Sequence, residues 1–171
     1  MDTESGKTIL LISSDGHRFE VTEAAASMSR LLSNMIEDGC TDNGVTLPNV
    51  TGDMLAKIVK YCDKHAAVTS ELAAAGFSDA AAREESRVEK LKEFDAELVS
   101  LDVPTLFRLI MAADFMDVKG LLDAACQHVA DMAKDMTVEQ MRETFNIEND
   151  LTREEEAAIR RENAWAFATR R

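Results

Sequence analysis

The C-terminal segment constrains the fold most, because it predicts two helices with too little apolar surface to hold themselves together. Thr137 and Gln140 have the spacing of a capping box, and so do Thr152 and Glu155. Each box marks the first turn of a helix. Six residues supply most of the apolar bulk of the segment: Met141, Phe145, Ile147, Ile159, Trp165 and Phe167. We expect such a helix pair to pack against another protein, which indicates a partner-binding module rather than an enzyme.

The charge and composition of the chain argue against several classes of function. The formal net charge is −13, so the chain repels phosphate backbones and is not expected to bind nucleic acid. The three cysteines are widely spaced, which favours the reduced thiols of a cytosolic or nuclear protein. The longest apolar stretch, around 106–116, is interrupted by charged residues and is too short to cross a bilayer. The first residues lack the basic and apolar regions of a signal peptide.

The first 65 residues alternate strand and helix signals. Residues 8–12 and 17–21 flank an Asp-Gly turn and predict a β-hairpin. Apolar residues at helical spacing predict a helix over 28–36, and Val45–Leu47 predicts a short strand. Thr51 is placed to cap the next helix. This β-β-α-β-α order indicates an α+β domain.

The segment 66–90 interrupts this pattern. It is rich in alanine and charged residues and can bury little surface, so we interpret it as a flexible linker. Because alanine is the best helix former, an exposed helix is the alternative.

The helical pattern then continues to the end of the chain. The run 105–116 is apolar nearly all round and predicts the central buried helix, and Asp117 is placed to cap the helix that follows.

No pattern of residues indicates catalysis or a bound cofactor. The glycines are isolated, which argues against a phosphate-binding loop, and the sequence has no G-x-S-x-G. Cys62 and His65 could form a zinc site with Cys126 and His128. Cys126 falls in a predicted apolar stripe, however, so we expect buried thiols instead. The prediction is therefore no catalytic residue, no cofactor and no metal site.

The aromatic side chains near the C-terminus are the strongest candidates for a binding site. We interpret Trp165 and Phe167 as aromatic anchors for the groove of a partner, because few neighbouring apolar residues could cover them. Phe145 and Ile147 lie between the two predicted helices and admit two interpretations, partner contact or packing of one helix on the other.

Short segments along the chain resemble the Skp family, the S-phase-kinase-associated adaptors of Skp–cullin–F-box ubiquitin ligases. They are Ser-Ser-Asp-Gly at 13–16, Leu-Pro-Asn-Val at 47–50, Tyr-Cys at 61–62 with Lys-His at 64–65, Leu-Phe at 106–107 with Leu-Ile at 109–110, Lys-Gly-Leu-Leu-Asp at 119–123, Val-Ala-Asp-Met at 129–132, Thr-Phe-Asn-Ile at 144–147, and Arg-Arg-Glu-Asn at 160–163 with Trp165. They follow the order of the family and cover nearly the whole chain outside 66–90. The residues in these segments are similar to those of the plant branch in particular.

The resemblance implies a BTB/POZ-type fold with a C-terminal two-helix extension. The BTB/POZ-type domain would comprise 1–65 and a helical part at 91–134, separated by the linker 66–90, and the extension would comprise 135–171. The resemblance also implies a non-enzymatic adaptor that joins a cullin scaffold to F-box substrate receptors for ubiquitin-dependent degradation, in the nucleus and cytoplasm. The alternative is a self-associating BTB-type scaffold that does not engage a cullin.

The resemblance further implies where the two partners bind. F-box proteins are expected on the region of about 110–171. The residues expected to contact them are Phe145, Ile147, Ile159, Asn163, Trp165 and Phe167. The cullin is expected at Asp114 and Phe115, where the family usually has Asn-Tyr. Asp114 therefore adds a negative charge to this surface, and Phe115 lacks a hydroxyl group.

Overall fold

The computed structural model describes residues 7–76 and 79–167 as a small sheet with helices. The elements are β1 (Thr8–Ser13), β2 (Arg18–Thr22), α1 (Glu23–Ala26), α2 (Arg30–Glu37), β3 (Val45–Leu47), α3 (Gly52–Ala74), α4 (Ala80–Val99), α5 (Val103–Phe115), α6 (Lys119–Ala133), α7 (Val138–Phe145), α8 (Arg153–Glu162) and α9 (Ala164–Phe167). The chain divides into two compact units, 1–134 and 135–171. A search of the described residues finds no helix with the length and apolarity needed to span a membrane.

The sheet has three strands in the order β2-β1-β3. β2 runs antiparallel to β1, with Thr8 opposite Thr22. β3 runs parallel to β1, with Leu11 opposite Val45. The predicted hairpin and the predicted short strand are therefore both confirmed. Gly16 has φ +84° in the hairpin turn, a conformation that glycine adopts without strain. Alternate residues of β1 are buried, so one face of the sheet contributes to the core.

The core of the first unit lies between this sheet and the helices α2, α3, α5 and α6. Aliphatic residues build it, since only 5% of the chain is aromatic. The largest fully buried side chains of this core are Ile9, Leu11, Leu32, Leu47, Val50, Leu55, Ile58, Leu106, Leu109, Met116 and Leu121. On α6, Gly120 permits close packing against α3, because a Cβ atom there would collide with the hydroxyl oxygen of Tyr61.

The helix α5 is only partly buried, which corrects the prediction of a central helix enclosed on all sides. Leu106 and Leu109 are completely buried, whereas Phe107 is 42% exposed and Met111 is 70% exposed. Arg108 and Asp114, both exposed, were the only charged residues in the run to mark an outer side, because the rest is almost entirely apolar. The outer side of α5 therefore presents apolar side chains outside the core.

The structure also differs from the predicted linker over 66–90. α3 continues to Ala74 and α4 begins at Ala80, so the alternative interpretation, an exposed helix, is closer to the structure. Alanine favours both helices, and the Asp79 side chain caps α4 by accepting from the Ala81 N–H. A second, small apolar cluster joins the two helices and consists of Val68, Leu72 and Leu91.

Two helix starts are not capped as predicted. Thr51 occupies the N-cap of α3, but its hydroxyl donates to the Asp53 side chain and accepts no backbone hydrogen bond there. Asp117 has a left-handed backbone, with φ +50°. The N-cap residue of α6 is Val118, and no side chain caps this helix start. The Asp117 N–H donates to the Asp114 carbonyl at 3.0 Å, so Asp117 ends α5 instead of starting α6.

The carboxylate of Asp15 connects the β1–β2 turn to the start of α3. Its Oδ1 atom accepts from the Ser13 hydroxyl at 2.5 Å and from the Gly52 N–H at 2.8 Å. His17 Nδ1 lies 3.2 Å from the same oxygen. The Ser13 hydrogen bond first, and then that of His17, lower the pKa of Asp15 to about 2.

Asp15→Asn is expected to reduce the free energy of unfolding at pH 7 and to have little effect at pH 2. The folded-state pKa lies below the value of about 3.9 for an unfolded chain, so ionised Asp15 stabilises the fold above roughly pH 4. That contribution is lost as the pH falls through the folded-state pKa of about 2. Urea unfolding at both pH values measures the difference. Asp42→Asn, at an exposed position, is the control and should leave the free energy of unfolding unchanged at both pH values. An equal loss at both pH values would show that the ionised carboxylate is not the stabilising species.

Candidate partner-binding surfaces

The second unit contains the two helices that the capping boxes predict. The Thr137 hydroxyl accepts from the Gln140 N–H at 3.1 Å, and the Gln140 side chain accepts from the Thr137 N–H at 2.9 Å. Thr152 and Glu155 make the same reciprocal pair, at 3.3 Å and 2.9 Å. Both predicted helix starts are therefore confirmed.

These helices have no apolar interior of their own. Neither α7 nor α8, each described over its full length, has a buried residue. Arg160 on α8 donates to Glu139 on α7 and to Glu156 on its own helix, the latter at 3.0 Å. The Arg160 hydrogen bond is the largest cause of the lowered pKa of the Glu156 carboxyl. Ion pairs as exposed as these contribute little to stability, so they hold the helices together only weakly.

Several large apolar side chains of this unit are exposed instead. Trp165 is 75% exposed, Ile147 53% and Ile159 45%. Phe145 is half-buried, and so is Asn163, whose side chain donates to the Ile159 carbonyl. Phe167 belongs to α9, but its side chain lies outside the part that the structure describes.

Two exposed apolar residues of the second unit were missed in the sequence. Val138 is 36% exposed and Leu151 is 37% exposed. Each is a single apolar residue among polar neighbours, and its position directly beside a capping threonine was the only available signal. Val138 also lines an open groove of about 510 Å³ in this unit, together with Met141 and Ala166, with Glu139 and Arg160 at its polar side.

The second candidate surface lies in the first unit, on α5. We call Phe107, Met111 and Asp114 the α5 outer face; they are spaced by four and three residues, so they lie on one side of the helix. Asp114 is exposed, whereas Phe115 is half-buried and packs partly against the core. Sequence reasoning missed Phe107 and Met111 because it placed both in the core.

Arg108 braces the same helix against the start of α3. Its Nη2 atom donates to the Asp53 carboxylate at 3.0 Å and to the Thr51 hydroxyl at 3.1 Å. Thr51 also donates to Asp53, and that hydrogen bond is the largest cause of the lowered pKa of Asp53. The brace connects two helices beside the α5 outer face, but both side chains are exposed, so it holds the helices together only weakly.

The residues considered for a zinc site do not converge. Burial raises the pKa of the Cys62 thiol to about 12. Cys126 is exposed, which corrects its predicted inward position: α6 turns Leu121 and Ala125 to the core and the next residue outward. His65 instead binds Asp95, at 2.7 Å. Over residues 7–76 and 79–167, no group of three His, Cys, Asp or Glu side chains is arranged to hold a metal ion.

Comparison with known proteins matches two parts of the chain to family models. Residues 7–67 match the Skp1 family tetramerisation domain, and residues 119–166 match the Skp1 family dimerisation domain. The chain is 51% identical over 164 residues to SKP1-like protein 4 of Arabidopsis thaliana, covering 96% of this chain and 98% of that protein. It is 53% identical over 165 residues to SKP1-like protein 1 of Oryza sativa subsp. japonica, covering 94% and 95%.

These matches extend over nearly the full length of both relatives, and they confirm the predicted family and the BTB/POZ-type α+β fold. SKP1-like protein 1A of Arabidopsis thaliana, at 50% identity over 163 residues, agrees with them. The chain belongs to the Skp1 family, whose members are adaptors rather than enzymes.

Proposed function

We propose that the chain is the adaptor subunit of a Skp–cullin–F-box ubiquitin ligase, working in the nucleus and cytoplasm. It would bridge a cullin scaffold to F-box substrate receptors for ubiquitin-dependent protein degradation. One observation carries the proposal: the second unit exposes the apolar side chains of Trp165 and Ile159. Its two longer helices, α7 and α8, contain no buried residue that could form an interior. Such a surface is stable in water chiefly when a partner covers it.

The F-box side of this function is a hydrophobic association. Apolar side chains of the receptor would pack against Trp165, Ile147 and Ile159, all of which are exposed in the free chain. Each Å² of apolar surface removed from water contributes roughly 25 cal/mol, less the cost of ordering the terminal helices. F-box binding is therefore expected to stabilise α7 and α8.

The cullin side would use the α5 outer face. Phe107 and Met111 supply exposed apolar area next to the charged Asp114, which matches the apolar centre and polar rim of protein interfaces. The buried residues Leu106 and Leu109 hold α5 in the core of the first unit. A rigid contact with the cullin and a separate contact with the receptor would hold substrate at a set distance from the ubiquitin-transfer machinery.

Light scattering after size-exclusion chromatography tests the proposal. The chain is mixed with an F-box peptide, with an N-terminal cullin fragment, and with both. We expect a ternary complex with one copy of each component. A stable oligomer of the chain alone that binds neither partner would contradict the proposal and favour the self-associating scaffold.

Asp114→Asn is expected to leave cullin affinity equal or to increase it by up to about fivefold. The substitution removes one exposed negative charge, and such a charge contributes at most about 1 kcal/mol. Titration calorimetry with the cullin fragment measures the change, and Asp123→Asn on α6 is the matched control. Clearly weaker binding by Asp114→Asn would mean that the carboxylate makes a favourable contact with the cullin.

A further inference from the structure

The strand β2 lies at one edge of the sheet, because the strand order is β2-β1-β3. At the turn, the Ser13 N–H donates to the His17 carbonyl at 2.9 Å, and at the other end the Glu23 N–H donates to the Lys7 carbonyl at 3.0 Å. In an antiparallel pair the residues alternate between facing the partner strand and facing away from it. The residues of β2 whose N–H and C=O groups face away from β1 are therefore Arg18, Glu20 and Thr22.

This edge is accessible. Arg18, Glu20 and Thr22 are exposed, and Phe19 between them is half-buried against the core. The residues opposite the two charges on β1 are apolar: Ile12 lies opposite Arg18, and Leu10 lies opposite Glu20. No opposite charge therefore faces them directly across this pair of strands. An open edge of this kind is a template for one more strand.

The charges of the edge complement a second copy of the same strand. When two β2 strands pair antiparallel about a two-fold axis at Phe19, Arg18 of each copy lies opposite Glu20 of the other. Directly opposite residues project from the same face of a sheet, where opposite charges attract. Moving the axis to Arg18 or to Glu20 would place like charges opposite each other. Of these three registers, only the one centred on Phe19 brings opposite charges together.

The backbone and Phe19 supply the rest of this contact. In the register centred on Phe19, Arg18 and Glu20 of opposite copies form hydrogen-bonded pairs through the groups that face away from β1. The Phe19 side chains of the two copies meet at the axis, in a non-hydrogen-bonded pair, where side chains approach most closely. β2 has only 5 residues, so the contact is small. It would bury less than the roughly 1,200 Å² of a stable protein interface.

We propose that two copies of the chain associate through β2, which joins their sheets into one across an antiparallel β2–β2 pair. The association is weak, with a Kd of roughly 0.1–1 mM for a contact of this size. It goes beyond the proposed adaptor function and uses no residue of the α5 outer face or of the second unit. Single copies predominate at micromolar concentration, in agreement with a ternary complex that contains one copy of the chain.

Dilution of the ¹⁵N-labelled full chain from about 1 mM to about 20 μM, followed by amide chemical shifts, tests the proposal. The amides of 18–22 are expected to shift with concentration, because N–H groups of the open edge gain hydrogen-bond partners in the pair. Sedimentation equilibrium over the same range should fit a monomer and a dimer. Constant shifts at 18–22, or concentration-dependent shifts confined to other elements, would overturn the proposal.

Charge reversal on β2 tests the register. Arg18→Glu and Glu20→Arg each place like charges opposite one another, and each is expected to weaken association at least about tenfold. An equimolar mixture of the two variants restores both attractive pairs, so it should associate about as tightly as the native chain. The chain carries a net charge of −13, and Glu20→Arg makes it less negative. Overall charge alone would therefore predict tighter association for this variant.

Glu37→Arg is the matched control, because it makes the same reversal at an exposed position on α2. It should keep the association of the native chain. Arg18 and Glu20 are exposed, so their variants are expected to fold, and the amide spectra of the single copies verify this. Single variants that associate like the native chain, or a mixture that associates no better than either variant alone, would contradict the pairing of Arg18 with Glu20.

Discussion

Trp165→Ala is expected to weaken F-box binding by about 2–3 kcal/mol, or roughly 30- to 150-fold. The indole is the largest apolar side chain of the second unit and is 75% exposed in the free chain. Tryptophan is enriched among residues that dominate binding energy, because it buries about 150–250 Å² with few rotatable bonds. Its truncation therefore removes the largest single contribution to the proposed contact.

The same substitution should leave the free chain almost unchanged. Because the indole has little contact with its own fold, the free energy of unfolding should change by no more than about 0.5 kcal/mol. Calorimetric titration with an F-box peptide and urea unfolding of the free chain measure the two quantities. Val88→Ala, an exposed apolar residue on α4, is the control and should affect neither. Unchanged F-box affinity in Trp165→Ala would remove the indole from the interface.

Leu109→Ala is expected to destabilise the first unit by about 3–5 kcal/mol, the largest effect on stability that we predict. Leu109 is completely buried on the inner side of α5. Its truncation loses the transfer free energy of the removed atoms and leaves a cavity that the close-packed aliphatic core can fill only partly.

Met111 provides a control on the same helix. It is 70% exposed, so Met111→Ala should change the free energy of unfolding by no more than about 0.5 kcal/mol. Urea unfolding followed by circular dichroism compares the two variants. Similar losses for both would mean that α5 is enclosed on all sides, as the sequence pattern alone suggested, and that its outer face is not available to a partner.

The parts of the fold that the sequence predicts correctly depend on local signals. A capping box needs only two side chains three residues apart, and both boxes form as expected at Thr137 and Thr152. The hairpin needs a turn that glycine can make, and Gly16 makes it. The exposed positions of Trp165 and Ile159 follow in the same way, because α7 and α8 contain too few apolar residues to cover them.

The parts that the sequence does not predict depend on contacts between distant residues. α4 is held to α3 by Leu91 packing with Val68 and Leu72, and a composition rich in alanine does not reveal that these three residues meet. The exposure of Phe107 was hidden because only two charged residues, Arg108 and Asp114, mark the outer side of the largely apolar α5. The cullin-binding roles proposed for Asp114 and Phe115 rest on resemblance to the family and not on their own pattern.

Hydrogen exchange of the free chain and of the chain with an F-box peptide tests the central claim most directly, which is that a partner completes the interior of the terminal helices. The account predicts that amides of α7 and α8 exchange rapidly in the free chain and at least about tenfold more slowly in the complex. Amides of β1 and α3, which lie outside the proposed F-box region, should exchange equally in both. If α7 and α8 are protected to the same degree with and without the peptide, the terminal helices are stable on their own and the account is wrong.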